Sequence, residues 1–152
     1  MKFLICLPFL ILSSRASASE NQIGVIIGSI TGLSAKHNLG NNRAIDGALS
    51  YSINSRYGFS VHADYLVTNA RIFNLGQIGP MNLYYGIGFR VQNIRTGVDS
   101  GNSRVSVRAP IGVFHQISNP DLEFFGEIAP ALDITPSTDV SFEVGLGVRY
   151  RF

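Results

Sequence analysis

The chain has 152 residues, enough for one domain with a core, yet only 14% of them are charged against ~25% in an ordinary soluble domain. Twelve Lys and Arg face ten Asp and Glu without forming a basic stripe, which excludes a nucleic-acid-binding surface; a single cysteine excludes a disulfide scaffold. Sixteen glycines with many Val, Ile, Phe and Tyr point to strands and turns.

In chain order, Lys2, the apolar run Phe3 to Leu12 and the small residues Ala16-Ser17-Ala18 follow the pattern of a secretory leader. The run is too short to span a bilayer as a helix. Residues 1–18 are therefore expected to be cleaved, and residues 19–152 to form the mature domain. Lys2, Cys6 and Arg15 leave with the leader, so the mature chain has no thiol, balanced charge and Lys36 as its sole lysine.

Beyond the leader, period-two alternation predicts eight strands. Two short ones lie near Ile23–Ser29 and Leu33–Leu39. Ile45, Leu49, Tyr51 and Ile53 then oppose Asp46, Ser50 and Ser52; Tyr57 to Val67 alternates with Gly58, Ser60, His62 and Asp64. Leu83 to Val91 opposes Asn82, Gly86, Gly88, Arg90 and Gln92, and Val105, Val107, Ile111 and Val113 oppose Arg104, Ser106, Arg108 and Gly112. Leu122 to Ile134 opposes Glu123, Glu127 and Asp133, and Val140 to Phe152 alternates without an error. Breaker clusters such as Thr31-Gly32, Gly40-Asn41-Asn42, Asn54-Ser55 and Asn119-Pro120-Asp121 separate them. Short connections imply an antiparallel up-and-down meander, and eight such strands fit the smallest transmembrane β-barrels.

The two faces differ in kind. One carries glycines and every strand charge: Lys36, Arg90, Arg104, Arg108, Arg149, Arg151, Asp46, Asp64, Glu123, Glu127, Asp133, Asp139 and Glu143, together with His62. The other carries none. Glycine suits a cramped lumen better than a solvated surface, and a charge on a lipid face costs about 2–4 kcal/mol at midplane. The glycine-and-charge face is therefore expected to point inward and the apolar face toward lipid. Aromatics on that apolar face gather into two girdles, Tyr51, Tyr57, Phe59, Phe89 and Phe142 toward one interface and Tyr65, Tyr85, Phe124, Tyr150 and Phe152 toward the other.

Leu146, Val148, Tyr150 and a final Phe152, spaced by two, resemble the signal read by the outer-membrane barrel-assembly machinery. The segments TGLSAKHNL, RAIDGALSYS, VHADYL, LYYGIGF, VRAPIGV and EIAPALDITPST resemble a poorly characterised, porin-like family of small eight-stranded bacterial outer-membrane barrels. That resemblance implies the fold and the outer membrane, and carries no catalytic motif, cofactor or metal.

Several constellations admit two readings. The inward charges either line a narrow pore for ions or small solutes or pair into a plug; near-balanced signs in a bore just wide enough for side chains favour the plug. Tyr84, Phe114 and Phe125 also point in. Ser60, His62 and Asp64 suggest a hydrolase relay, but same-face strand neighbours diverge and no nucleophile turn is present. Pro110 and Pro130 fall mid-strand at one level and predict a shared bulge or kink. Ala35, Gly47 and Ala63 put small residues at mid-height on the outer face, where barrels could meet as homo-oligomers. Asn69 to Pro80 is a long connection unless Ile72 to Ile78 extends the strands. The sequence thus points to a structural or assembly barrel, with a narrow channel or a small membrane enzyme or ligand binder as alternatives.

Overall fold

The computed structural model describes residues 20–51 and 56–152; the expected leader and the Asn54-Ser55 turn lie outside the described residues. The described chain is all β. Strand β1 is Asn21–Gly28, β2 Gly32–Gly40, β3 Arg43–Tyr51, β4 Tyr57–Asn74 and β5 Pro80–Ile94. The remainder are β6 Ser103–Arg108, β7 Ile111–Ser118, β8 Asp121–Thr135 and β9 Asp139–Arg151.

All pairings are antiparallel, and the sheet closes into a ring of eight because β9 pairs with β1. Nine strands occupy eight places: β6 and β7 lie end to end, each between β5 and β8. Pro110 makes the break. It keeps its carbonyl in the ladder, accepting from Gly86 N–H at 2.9 Å, but has no N–H to return. Pro130 likewise accepts from Ala109 N–H at 2.9 Å. The register resumes unchanged on both sides, Arg108 facing Ala131 and Ile111 facing Ile128. The two prolines therefore interrupt the ladder without inserting a residue, so of the expected bulge or kink the bulge is absent at this level.

The ring has a definite stagger. Tyr150 pairs with Ile23, and the register runs on through Ala35, Gly47, Ala63, Phe89, Val107 and Leu132 to Val140. The path returns to β9 ten residues from its start, from 150 to 140. Ten residues of ~3.3 Å over eight strands ~4.8 Å apart incline the strands by about 40° to the ring axis.

Alternation assigns the faces as in the sequence. Ile23, Val25, Ile27, Leu33, Ile87, Ile128, Val144 and Leu146 are exposed on the outside, while the charged partners are buried within. Nine of the ten expected aromatics are exposed; following the stagger, they form two belts about 17 Å apart along the axis. Tyr51, Phe59, Phe89 and Phe142 make the far belt, at the end that holds the β1–β2, β3–β4, β5–β6 and β8–β9 connections. Tyr65, Tyr85, Phe124, Tyr150 and Phe152 make the near belt, at the end where Asn21 and Phe152 pair. Tyr57 departs from this scheme. A one-residue register shift between Tyr57 and Ser60 pairs it with Ile94, which faces inward, so Tyr57 is half-buried beside the Arg104 guanidinium at 5.0 Å.

The connection expected from Asn69 to Pro80 is mostly strand. β4 continues to Asn74 and β5 starts at Pro80, leaving only 75–79 as a turn. A second register shift, between Asn69 and Phe73, gives β4 two extra residues there.

Candidate functional site

The interior is packed with paired charge. Its side chains come from every strand position, since each strand sends alternate residues inward. Among the described residues these groups form two clusters, one toward each end.

The near cluster centres on Glu123, which is fully buried on β8. Its two oxygens accept from Lys36 Nζ at 3.0 and 3.1 Å, Gln22 Nε2 at 3.2 Å, Gln116 Nε2 at 2.8 Å and Arg149 Nη1 at 3.4 Å. Arg149 extends the cluster, donating from Nη2 to Asp46 Oδ2 at 2.8 Å and from Nε to Ser34 Oγ at 2.9 Å. Two rings flank the cations: Lys36 Nζ lies 4.3 Å from the Phe114 ring centre and the Arg149 guanidinium 3.8 Å from that of Phe125. Gly147 leaves the space that the Phe125 ring occupies. Two cations face two carboxylates here, so the cluster is neutral.

The far cluster is a chain of bridges. Arg108 pairs with Glu127 at 2.7 Å, Glu143 at 3.4 Å and Asp64 at 3.5 Å. Arg90 pairs with Asp133 at 2.8 Å and with Glu143, and its Nη2 also donates to Ser106 and Ser141. Arg104, nearer the rim, pairs with Asp133 at 2.9 Å. Tyr84 donates its hydroxyl to Glu127 Oε2 at 2.9 Å, over the space left by Gly112. Three arginines meet four carboxylates. His62 Nδ1, both Asp64 oxygens, Arg108 Nε and Nη1 and Glu143 Oε2 make no hydrogen bond. A void of about 10 Å³ beside His62, Arg108, Glu127 and Glu143 is close to the least volume that holds one water.

Eleven of the fourteen expected interior residues are thus buried in the two clusters. Arg151 and Arg104 sit part-exposed toward the rims, Arg151 bridging Asp121 at 2.9 Å. Asp139 does not join. It is exposed at the start of β9, where its carboxylate accepts from Val140 N–H at 2.8 Å, because strand-end position outweighs facing. Sequence reasoning missed Gln22, Ser34 and Gln116 as members, and placed Ser106 and Ser141 on this face without assigning them a partner. Their inward parity was the available signal, but a neutral polar residue leaves no charge imbalance to notice.

No relay forms at Ser60, His62 and Asp64: His62 Nε2 is 3.7 Å from Asp64 Oδ2, and Ser60 Oγ makes no hydrogen bond. Among the described residues, no group of His, Cys, Asp and Glu is disposed to hold a metal. Tyr84, Phe114, Phe125, Leu66, Ala44, Ala48 and Ile26 form a buried apolar group inside the ring.

On the outside, Ala35 pairs with Gly47 and Gly47 with Ala63, in one row across β2, β3 and β4. Ala35 and Gly47 floor an apolar trough of about 270 Å³ edged by Ile23, Leu33, Leu49 and Val61, and Ala63 lies outside it. A second apolar recess, of about 520 Å³, lies between the β4–β5 tip and the outer wall of β7–β9.

Comparison with protein-family models, curated proteins and solved structures gave no match. The family resemblance therefore rests on the segments quoted above.

Proposed function

We propose that this chain is a transmembrane β-barrel of the bacterial outer membrane whose bore is closed, and which acts through its wall as a structural or assembly element. The observation that carries the reading is the inversion of sides. Large apolar side chains are exposed around the ring, and ion pairs fill its centre. A ring in water would place these the other way round, since exposing so large an apolar surface forfeits about 25 cal/mol per Å². The two aromatic belts and the 40° inclination also suit a bilayer. No described helix is long and apolar enough to cross a membrane, so crossing would fall to the strands.

The same arrangement favours a plug over a pore. Each cluster bridges several strands, and Phe114, Phe125 and Tyr84 close the space between. Reconstituted into phospholipid vesicles, the protein should resist extraction by urea and carry no current in a planar bilayer. Release by urea would overturn the membrane reading. Stepwise conductance lost on substituting Arg90 or Glu127 would restore the channel.

The row Ala35, Gly47 and Ala63, with the trough over its first two members, favours self-association of the walls, because small residues permit close approach. Light scattering in mild detergent should give a mass above the monomer, reduced by Gly47→Leu. An unchanged mass would leave the trough as ordinary lipid contact.

A further inference from the structure

The tip of the β4–β5 hairpin is unlike the other turns at its end of the ring. The β2–β3 turn is followed by Arg43, and the β7–β8 turn runs into Asp121. By contrast, residues 72–89 contain no charge, and Ile72, Phe73, Leu75 and Ile78 are all exposed. An apolar tip standing in water would be costly. Instead it leans on the outer wall, where the His115 ring nitrogen Nδ1 is 3.0 Å from Pro80 O and the ring lies beside Gly79.

Between tip and wall is the recess of about 520 Å³, within the ~300–1,000 Å³ range of small-molecule sites. Leu75, Ile78 and Met81 form one side, and Val113, Phe124 and Leu146 the other. Its floor is open because β8 has Gly126 at an outward position; a Cβ there would come within 3.0 Å of Leu146 Cδ2. Among the described residues no lining side chain is Asp, Glu, Lys or Arg, and this lining complements an uncharged hydrocarbon chain. The recess lies at the level of the near aromatic belt, beside Phe124.

We propose that this recess is a binding cleft for one acyl chain of a phospholipid, clasped between the β4–β5 tip and the wall of β7–β9. The proposal rests on the membrane reading, with the near belt facing the phospholipid leaflet on the periplasmic side. The headgroup stays at the interface, and His115 and the Pro80 carbonyl form the polar edge over which the chain enters.

The test is native mass spectrometry of the protein released from nanodiscs of phosphatidylethanolamine and phosphatidylglycerol. The wild type should hold one phospholipid at energies that strip the surrounding lipid. Gly126→Leu fills the floor and should lower the retained fraction about tenfold, the effect of excluding two methylenes from an apolar site. Ile78→Asn, at an exposed position that spares the ring, should act in the same direction and carries the test if Gly126→Leu does not insert. A protein that fails to enter nanodiscs overturns the membrane reading and the cleft together. Insertion with no retained lipid, or with equal retention in wild type and both variants, overturns the cleft alone. Preferential retention of lipid A from doped discs would overturn the phospholipid assignment.

Discussion

The two interior clusters use the same residue types in different ways. The near cluster gathers four donating side chains on one carboxylate, balances its charge and sheathes both cations with aromatic rings. The far cluster strings three arginines among four carboxylates, carries one formal negative charge with His62 neutral and leaves several polar atoms unbonded around a small void. A saturated hub fails when its centre is removed, whereas a chain with spare capacity can lose one link and re-pair. The contrast lies at the centres, Glu123 having both oxygens bonded and Asp64 neither, since Gln22 Oε1 and Asp46 Oδ1 in the near cluster are also unbonded.

The largest effect should come from Glu123→Ala, which strands Lys36 and Arg149 in a buried site and should cost about 3–5 kcal/mol of unfolding free energy. Urea titration in detergent micelles would measure it. A loss no greater than that for Glu143→Ala would erase the distinction between hub and chain. Next, Gly147→Leu places a side chain where the Phe125 ring lies, beneath Arg149; overpacking of about 1–3 kcal/mol is expected from the same titration. The equivalent change against Tyr84, Gly112→Leu, sharpens the contrast if it costs less. Smallest is Glu143→Gln, about 1 kcal/mol or less. It keeps a hydrogen-bonding oxygen for Arg90 and removes the surplus negative charge. A loss as large as that of Glu123→Ala would show the far cluster to be saturated too.

Facing was legible in the sequence because period two needs only local information. Val140 to Arg151 of β9 declare their sides without reference to any neighbour. Pairing was not legible. Arg149 on β9 reaches Asp46 on β3 because β1 and β2 intervene at a particular stagger, which is a property of the closed ring and not of any one strand. Two of the errors lie where register shifts. The shift beside Tyr57 moved that ring off the outer face, and the one after Asn69 disguised strand as loop. Pro110 announced a break, but only the ladders on either side could show that no residue had been inserted.

The stagger of ten also acts as a gauge of calibre. Slipping one strand by a single residue would turn its faces inside out, so only even slips preserve the segregation of charge. Yet an even slip is not neutral. A stagger of eight or twelve would change the ring radius by about 0.7 Å, because inclination and girth are tied in a closed sheet. Side chains as closely paired as Arg108 with Glu127 and Arg149 with Asp46 would be compressed in the narrower ring and drawn apart in the wider one. A two-residue duplication within a strand would leave the alternation faultless and still produce a tube of the wrong bore.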